Sequence, residues 1–397
     1  MTAPIITFKA LLDPIGVDEF FADYYDKKPL HVPGGPEKVA GICSWDDFND
    51  LLHRTSIWSD RSFNLVLDGK RLPAGQFCEP AASRDGARIM QPASERVVEY
   101  LDQGASIVLD LVETLTPGLR AASEAIQMAT GSRVSCNAYC SQSEHQAFPS
   151  HFDTMDVFAI HVEGKKTWRV YEGRFEGPME RPGFNHTSFP PDYHDKAKGS
   201  LAMEVELKPG DLLYLPKGVY HDALASTDNC LHLSYGTTQP TGLDFMRWVI
   251  DGLDEAPLFR KPMPPHDAAT EHDAHIAALR ENLAELLQQP DVGSQFRDDQ
   301  RHKAFSVLSS VAFPKPLSRY RVRGRGVKIV RRGSDWRVTT PEGNSNLPGD
   351  ASGMVEWMLE QDHFSRRDLI SAFPESNEQT ITEILQTLTS VGVLEPL

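Results

Sequence analysis

The sequence predicts an α+β protein: an antiparallel barrel or jelly roll, then a helical segment, then a small winged-helix-like domain. Three observations carry this. Between Arg133 and Tyr235 short β-rich runs follow one another, broken at Glu163-Gly164, Pro209-Gly210 and Lys217-Gly218. After Pro240 the pattern turns helical, with a linker at Pro262, Pro264 and Pro265. Beyond Pro314 and Pro316 a basic β-rich stretch leads into three helical runs and a short final strand. A chain of 397 residues exceeds one ordinary core, and these shifts set boundaries at 1–240, 241–314 and 315–397.

Taken in order, Phe20, Phe21, Tyr24 and Tyr25 recur at helical spacing, and Lys27-Lys28-Pro29 stops that helix. Ser44 followed by Asp47 predicts a capping box opening a helix through Leu52. Residues 86–129 predict two helices, the second ending near Gly131. The barrel runs are 134–139, 156–162, 167–171, 202–207, 211–215 and 230–235. The polar, Pro- and Gly-rich stretch 173–199 is expected as a long loop between strands, a kind of insert that often covers a site. Helices follow at 243–253, 274–287 and 301–311. In the last part a basic strand is expected over 319–330 and a second over 336–340. Ser365 with Asp368 caps a helix, and Ile381, Ile384, Leu385 and Leu388 line the last one, before a short strand at 393–394.

Composition narrows the function. With 40 Lys+Arg against 56 Asp+Glu the net charge is −16, so nucleic acid is not the expected partner and a basic protein is. No apolar run reaches the roughly 20 residues of a membrane helix. The opening Met1-Thr-Ala-Pro lacks a signal-peptide layout, and five cysteines do not suggest a disulfide framework. A reducing cytoplasm is the expected location.

The informative segment is His151-Phe-Asp153. Side chains at i and i+2 of an extended segment share a face, so one imidazole and one carboxylate can hold a single metal ion. The candidate third ligand is His221, delivered by a turn, a short buried strand and a second turn over 209–221. Two His and one carboxylate form the facial triad of non-haem Fe(II) oxygenases, which leaves three positions open. Ordinary histidines in loops and strand ends are the bland alternative. Lys166 is in phase with Trp168 and Val170, and burying it there would call for an anion such as a dicarboxylic cosubstrate. A solvent-facing lysine is the alternative, as expected for Lys165 and Arg169. His145, His186 and His194 are expected at the surface, and His161 as a satisfied packing residue.

The stretch from Asn137 to Asp153, with Asp156-Val-Phe and Gly164-Lys-Lys166-Thr-Trp168, resembles the JmjC family of Fe(II)/2-oxoglutarate oxygenases. Within it the ribosomal-oxygenase (cupin-4) branch is most similar. The opening Phe20-Phe-Ala-Asp-Tyr-Tyr-Asp-Lys-Lys-Pro29-Leu is similar to that branch's entry helix, and the order of parts matches. The resemblance implies a double-stranded β-helix of the cupin type holding iron through His151, Asp153 and His221. It implies that Lys166 binds the distal carboxylate of 2-oxoglutarate, with Asn137, Tyr139 and His232 lining the cosubstrate pocket. It further implies a protein hydroxylase acting on an arginine or a histidine of a large-subunit ribosomal protein, and a homodimer through the helical segment. Two departures stand out. His161 occupies a position where many relatives have Gln, and the loop before the His-x-Asp motif has no proline until Pro149.

Cys136 and Cys140, four apart, have no second pair at zinc spacing and are expected as buried thiols. The stretch 315–337 carries nine Lys/Arg and one Asp, and Arg319, Arg321, Arg323 and Arg325 alternate. Ion pairing with acidic groups of the same chain or its dimer mate is the expected role, with ribosomal RNA contact the alternative. Two rival functions remain: a metal-dependent cupin enzyme not using 2-oxoglutarate, which would not need Lys166, and a non-enzymatic winged-helix regulator. A demethylase is a further option within the same chemistry.

Overall fold

The computed structural model describes residues 6–83, 86–141, 148–179, 188–227, 229–308, 319–323, 327–332, 335–340, 343–347 and 351–396. The chain divides into two units, Met1–Ser309 and Ser310–Leu397, so the helical stretch that begins at 241 falls with the barrel.

In the first unit, an eight-stranded antiparallel sheet runs in the order Leu30–Val32, Leu212–Leu215, Asp156–Glu163, Cys230–Thr238, Arg133–Ser141, Ser106–Leu109, Phe63–Leu67 and Lys70–Arg71. A second sheet holds Leu201–Leu207, Lys166–Arg174 and Val219–Ala225. Val157, Ala159, Leu213 and Leu215 of the large sheet pack with Trp168, Val170, Leu207 and Val219 of the small one. Two antiparallel sheets closed over one apolar layer make the expected jelly roll. The other face of the large sheet is buried too, under Phe8–Leu12, Trp45–His53 and Pro117–Thr130. A sheet covered on both faces needs apolar residues at nearly every position, which is why Asp156–Glu163 shows no alternation.

Local chemistry sets several boundaries as expected. Ser44 and Asp47 form the capping box of Trp45–His53, and Gly131 ends Pro117–Thr130 in the left-handed conformation. Phe20–Tyr24 is a turn of π-helix continuing Val17–Glu19. Several strands depart from the sequence expectation, among them Leu30–Val32, Phe63–Leu67, Cys78–Ala82, Val219–Ala225, and Arg88–Pro92 and Ser106–Leu109 within the stretch expected as two helices. Cys78–Ala82 and Arg88–Pro92 pair with each other. The other four are short and owe their form to partners far away in the chain. The stretch 173–199 is not all loop, since it contains the helix Pro191–Ala197. Gly242–Gly252, Ala269–Leu287 and Val292–Leu308 are the helices of the segment after the barrel.

In the second unit, His363–Ser365, Arg319–Val322 and Leu394–Pro396 form one antiparallel sheet. Lys328–Arg332, Asp335–Thr340 and Gly343–Leu347 form another. The single basic strand expected over 319–330 is therefore two strands in different sheets, as the sequence Gly324-Arg325-Gly326 between them allows. Ser352–Leu359, Arg366–Ala372 and Glu378–Ser390 complete the unit, and Ile381, Ile384, Leu385 and Leu388 are buried in its core. Ser365 and Asp368 form the expected capping box. The Glu395 carboxylate takes Arg323 at 2.8 Å and Arg321 at 3.7 Å, as the ion-pair reading requires. His145, His186, Val311 and Arg325 lie outside the described residues.

Candidate metal centre

Two segments build the site. His151 and His221 exchange backbone hydrogen bonds: the His151 N–H donates to the His221 carbonyl at 3.0 Å, and the reverse bond is 2.9 Å. The Gly218 N–H donates to the Asp153 carbonyl at 2.9 Å. Gly218 has φ +82°, and a Cβ there would collide with the Phe175 carbonyl. Only glycine makes that turn. The ladder to Lys166–Arg174 shifts register between Val219 and His221. Such a bulge re-aims the side chain that follows it. His221 is thus a strand residue rather than one delivered by a turn.

The side chains alternate. His151, Asp153 and His221 face the barrel interior, and their ligand atoms all lie within 4.8 Å of one another. The His151 Nδ1 lies 2.8 Å from the Pro149 carbonyl, and the His221 Nδ1 lies 3.0 Å from the Val219 carbonyl. A carbonyl only accepts, so each Nδ1 carries the proton and each Nε2 presents a lone pair. Those Nε2 atoms stand 3.8 and 3.5 Å from the Asp153 carboxylate. Two acceptors and an anion converging in this way are satisfied by a cation, and the donor set suits Fe(II). Burial, then the neighbouring His221, pushes the His151 pKa down, which keeps that ring neutral and able to ligate.

The triad opens on a cavity of about 220 Å³, also lined by Asn137, Tyr139, Lys166, Trp168 and His232. Every residue proposed for the site on sequence grounds is therefore at one place. Lys166 is 3% exposed, and its ammonium donates only a long 3.4 Å bond to the Ser141 hydroxyl. Among the described residues no carboxylate pairs with it. Burial pushes its pKa below the ordinary lysine value. His232 is clamped between Tyr139, stacked at 4.8 Å, and Trp168, edge-on at 5.4 Å. Its Nδ1 and the Trp168 Nε1 have no partner among the described residues. The Asn137 carbonyl oxygen accepts from the Leu111 N–H at 3.1 Å, so this side chain also holds the cavity rim.

Other residues were not anticipated. Arg71 and Asp110 reach the cavity from the N-terminal strands, and their ion pair spans 3.6 Å. Phe148 and Ser234 also line it, the latter two positions from His232. A phase argument on the last barrel strand would have found Ser234. Nothing local in the sequence marks Arg71 or Asp110. His194, expected at the surface, is buried, because its helix covers the outward aromatic residues that alternate with the triad. Its Nδ1 lies 3.0 Å from the Tyr220 hydroxyl and its ring 6.0 Å from Phe152. His161 is buried as expected but only half satisfied. Its Nε2–H donates to the Gly164 carbonyl at 3.1 Å while Nδ1 has no partner among the described residues, and burial pushes its pKa down to about 4. Each of the five cysteines is a free thiol, with Cys136 buried and Cys140 partly so.

Residues 115–245, which include the whole triad and Lys166, match the family model of the JmjC domain. Over that stretch the barrel matches the JmjC domain. A bifunctional lysine-specific demethylase and histidyl-hydroxylase NO66 of Aedes aegypti is 26% identical over 54% of this chain and 32% of its own length. Ribosomal oxygenase 2 of Rattus norvegicus is 26% identical over 63% of this chain and 51% of its own. The chain thus spans between a third and a half of these relatives. The solved Escherichia coli ribosomal oxygenase YcfD, in complex with cobalt and 2-oxoglutarate, aligns over 96% of this chain and 98% of its own at 18% identity, with a TM-score of 0.48. Around the JmjC triad, then, the chain's own donor set and the family match point to the same metal chemistry.

Proposed function

We propose that this chain is an Fe(II)- and 2-oxoglutarate-dependent protein hydroxylase acting on an arginine or a histidine of a large-subunit ribosomal protein. One observation carries the reading: a two-His, one-carboxylate triad and a buried lysine that has no carboxylate partner among the described residues line the same cavity. His151, Asp153 and His221 would hold the metal. The metal held there with 2-oxoglutarate would supply O₂ activation, with succinate and CO₂ as co-products and one oxygen atom entering a C–H bond of the substrate. Lys166 supplies the charge for the distal carboxylate of the cosubstrate, with the Ser141 hydroxyl beside it. Tyr139, His232 and Trp168 form an aromatic wall that keeps water from that carboxylate, and Asn137 holds the rim. A metal cupin without 2-oxoglutarate would leave Lys166 buried for no gain, at a cost of several kcal/mol.

The substrate class follows the names of the similar proteins and the net charge of −16, which favours a basic partner. Cytoplasmic location is part of the same reading. We assign the unit from Ser310 as winged-helix-like, from its three helices and short antiparallel strands. We assign 241–314 as a dimerisation segment. Ala269–Leu287 supports this, because none of its residues is buried and Ile276 is 53% exposed. Its half-buried Leu279, Leu283, Leu286 and Leu287 await a partner surface.

The deciding experiment compares intact masses of ribosomal proteins from cells with and without the gene. One protein should be lighter by about 16 Da, one oxygen atom, in the deletion strain. Identical masses would remove the ribosomal reading. A protein that instead keeps an extra methyl group, and is therefore heavier, in the deletion strain would favour a demethylase.

A further inference from the structure

The face of the triad segments turned away from the cavity carries a second set of polar contacts. Ser150 precedes His151, and Asp222 follows His221, so both point outward where the ligands point inward. One oxygen of Asp222, Oδ2, accepts from the Ser150 hydroxyl at 2.6 Å and from the Tyr171 hydroxyl at 2.7 Å. The Lys198 ammonium, at the end of the insert helix, donates to the Ser150 hydroxyl at 3.3 Å and lies 5.1 Å from the Tyr171 ring centre. Asp222 is 6% exposed.

The segment carrying His151 and Asp153 is not part of a continuous ladder. It touches the Val219–Ala225 strand through one isolated bridge at His151 and His221 and through the Gly218 to Asp153 bond. Beyond these two bonds the segment is set by side chains on its outer face: the buried Phe152 packs on Phe175 at 4.7 Å and Tyr220 at 5.5 Å, and Ser150 is tied to Asp222, so these contacts fix the angle between the two imidazoles and the carboxylate.

We infer that Asp222 is a positioning residue for the metal. It fastens Ser150 to the His221 strand and Tyr171 to both, and so fixes the ligand geometry from behind. Its carboxylate also adds a negative charge close to the ligand set, which favours a divalent cation. Outer groups that orient metal ligands typically control affinity by about 10–100-fold. The inference rests on the metal reading of the triad.

Co(II) titration of the full chain, followed by its visible d–d absorption, tests both separately. Wild-type protein should bind one Co(II), and a wild type that binds none would overturn the metal reading and this inference with it. Asp222→Asn keeps the shape but loses the charge and one acceptor. It should bind Co(II) about 10–100-fold more weakly, with a shifted d–d spectrum at saturation. Ser150→Ala and Tyr171→Phe each remove one tie and keep the charge. Either should shift the spectrum with a smaller loss of affinity. If Asp222→Asn fails to fold, these two variants decide. Wild-type affinity and spectrum in all folded variants would overturn the inference.

Discussion

Lys166 places its charge in the cavity while almost wholly buried, and that makes it the most sensitive single residue outside the ligands. Lys166→Ala should raise the 2-oxoglutarate requirement by an amount equivalent to roughly 1.5–3 kcal/mol, the usual worth of a bond to a charged group. Calorimetric titration of the cosubstrate measures it. The pH dependence has a definite sign. The ammonium binds the anion, and burial lowers its pKa. Affinity should therefore fall as pH rises, starting below the ordinary lysine value of about 10.4. His151→Ala and His221→Ala should abolish Fe(II)-dependent turnover, because two remaining ligands cannot hold a facial geometry. Full turnover in either variant would remove the triad. His161 gives an acid-side prediction. Its pKa is lowered from 6.5 to about 4, so the unfolded chain binds the extra proton first. Stability is whole above 6.5 and declines as pH falls toward about 4. The loss is on the order of 3 kcal/mol. His161→Gln should flatten that decline in denaturant melts at successive pH values. His151 and Asp153 were legible because i, i+2 spacing fixes a shared face without knowledge of the fold, whereas Asn137, Tyr139 and His232 rested on the family resemblance. Asp110, Arg71 and Asp222 were not legible, since they become site residues only through which strand each one meets.

At the scale of elements, what is local in cause was readable and what is not local was missed. The two Ser-x-x-Asp capping boxes at Ser44 and Ser365 depend on four consecutive residues, and both formed where expected. The strands Leu30–Val32 and Ser106–Leu109 depend on pairing with Leu212–Leu215 and Arg133–Ser141, and no pattern inside them announces it. Asp156–Glu163 lacks alternation because both faces of its sheet are covered. Ser365→Ala removes the side-chain acceptor for the Asp368 N–H and should destabilise the second unit by about 1 kcal/mol. Thermal unfolding followed at Trp336 or Trp357 would report it, and an unchanged transition would mean the cap contributes nothing there. The insert helix Pro191–Ala197 escaped notice because its Pro-rich approach reads as loop until Pro191 is taken as the first helical residue.

For the molecule as a whole, assembly and encounter are the testable properties. Leu283→Asp with Leu287→Asp places two charges on the half-buried stripe of Ala269–Leu287 and should yield monomers by light scattering, whereas wild-type chain should give dimers. A wild-type monomer would remove the dimer. Encounter with a basic protein should slow as salt rises toward physiological strength, because the net charge of −16 acts at a distance that salt shortens. Turnover of a basic peptide that ignores salt over that range would remove the steering while leaving the metal chemistry intact. The large sheet also has a consequence for synthesis. Its first-made strand, Leu30–Val32, is completed by Leu212–Leu215, and the Asp26 N–H waits for the hydroxyl of Tyr214, 188 residues downstream. A ribosome adding about 5–20 residues per second takes roughly 10–40 s to make that partner. Throughout that interval the nascent chain carries a strand with nothing to pair with, an invitation to chaperones and to neighbouring polysomes alike. Arrested chains that stop short of Leu212 should crosslink to a holdase far more than chains extended past Thr238, so the barrel closes as a late event of translation.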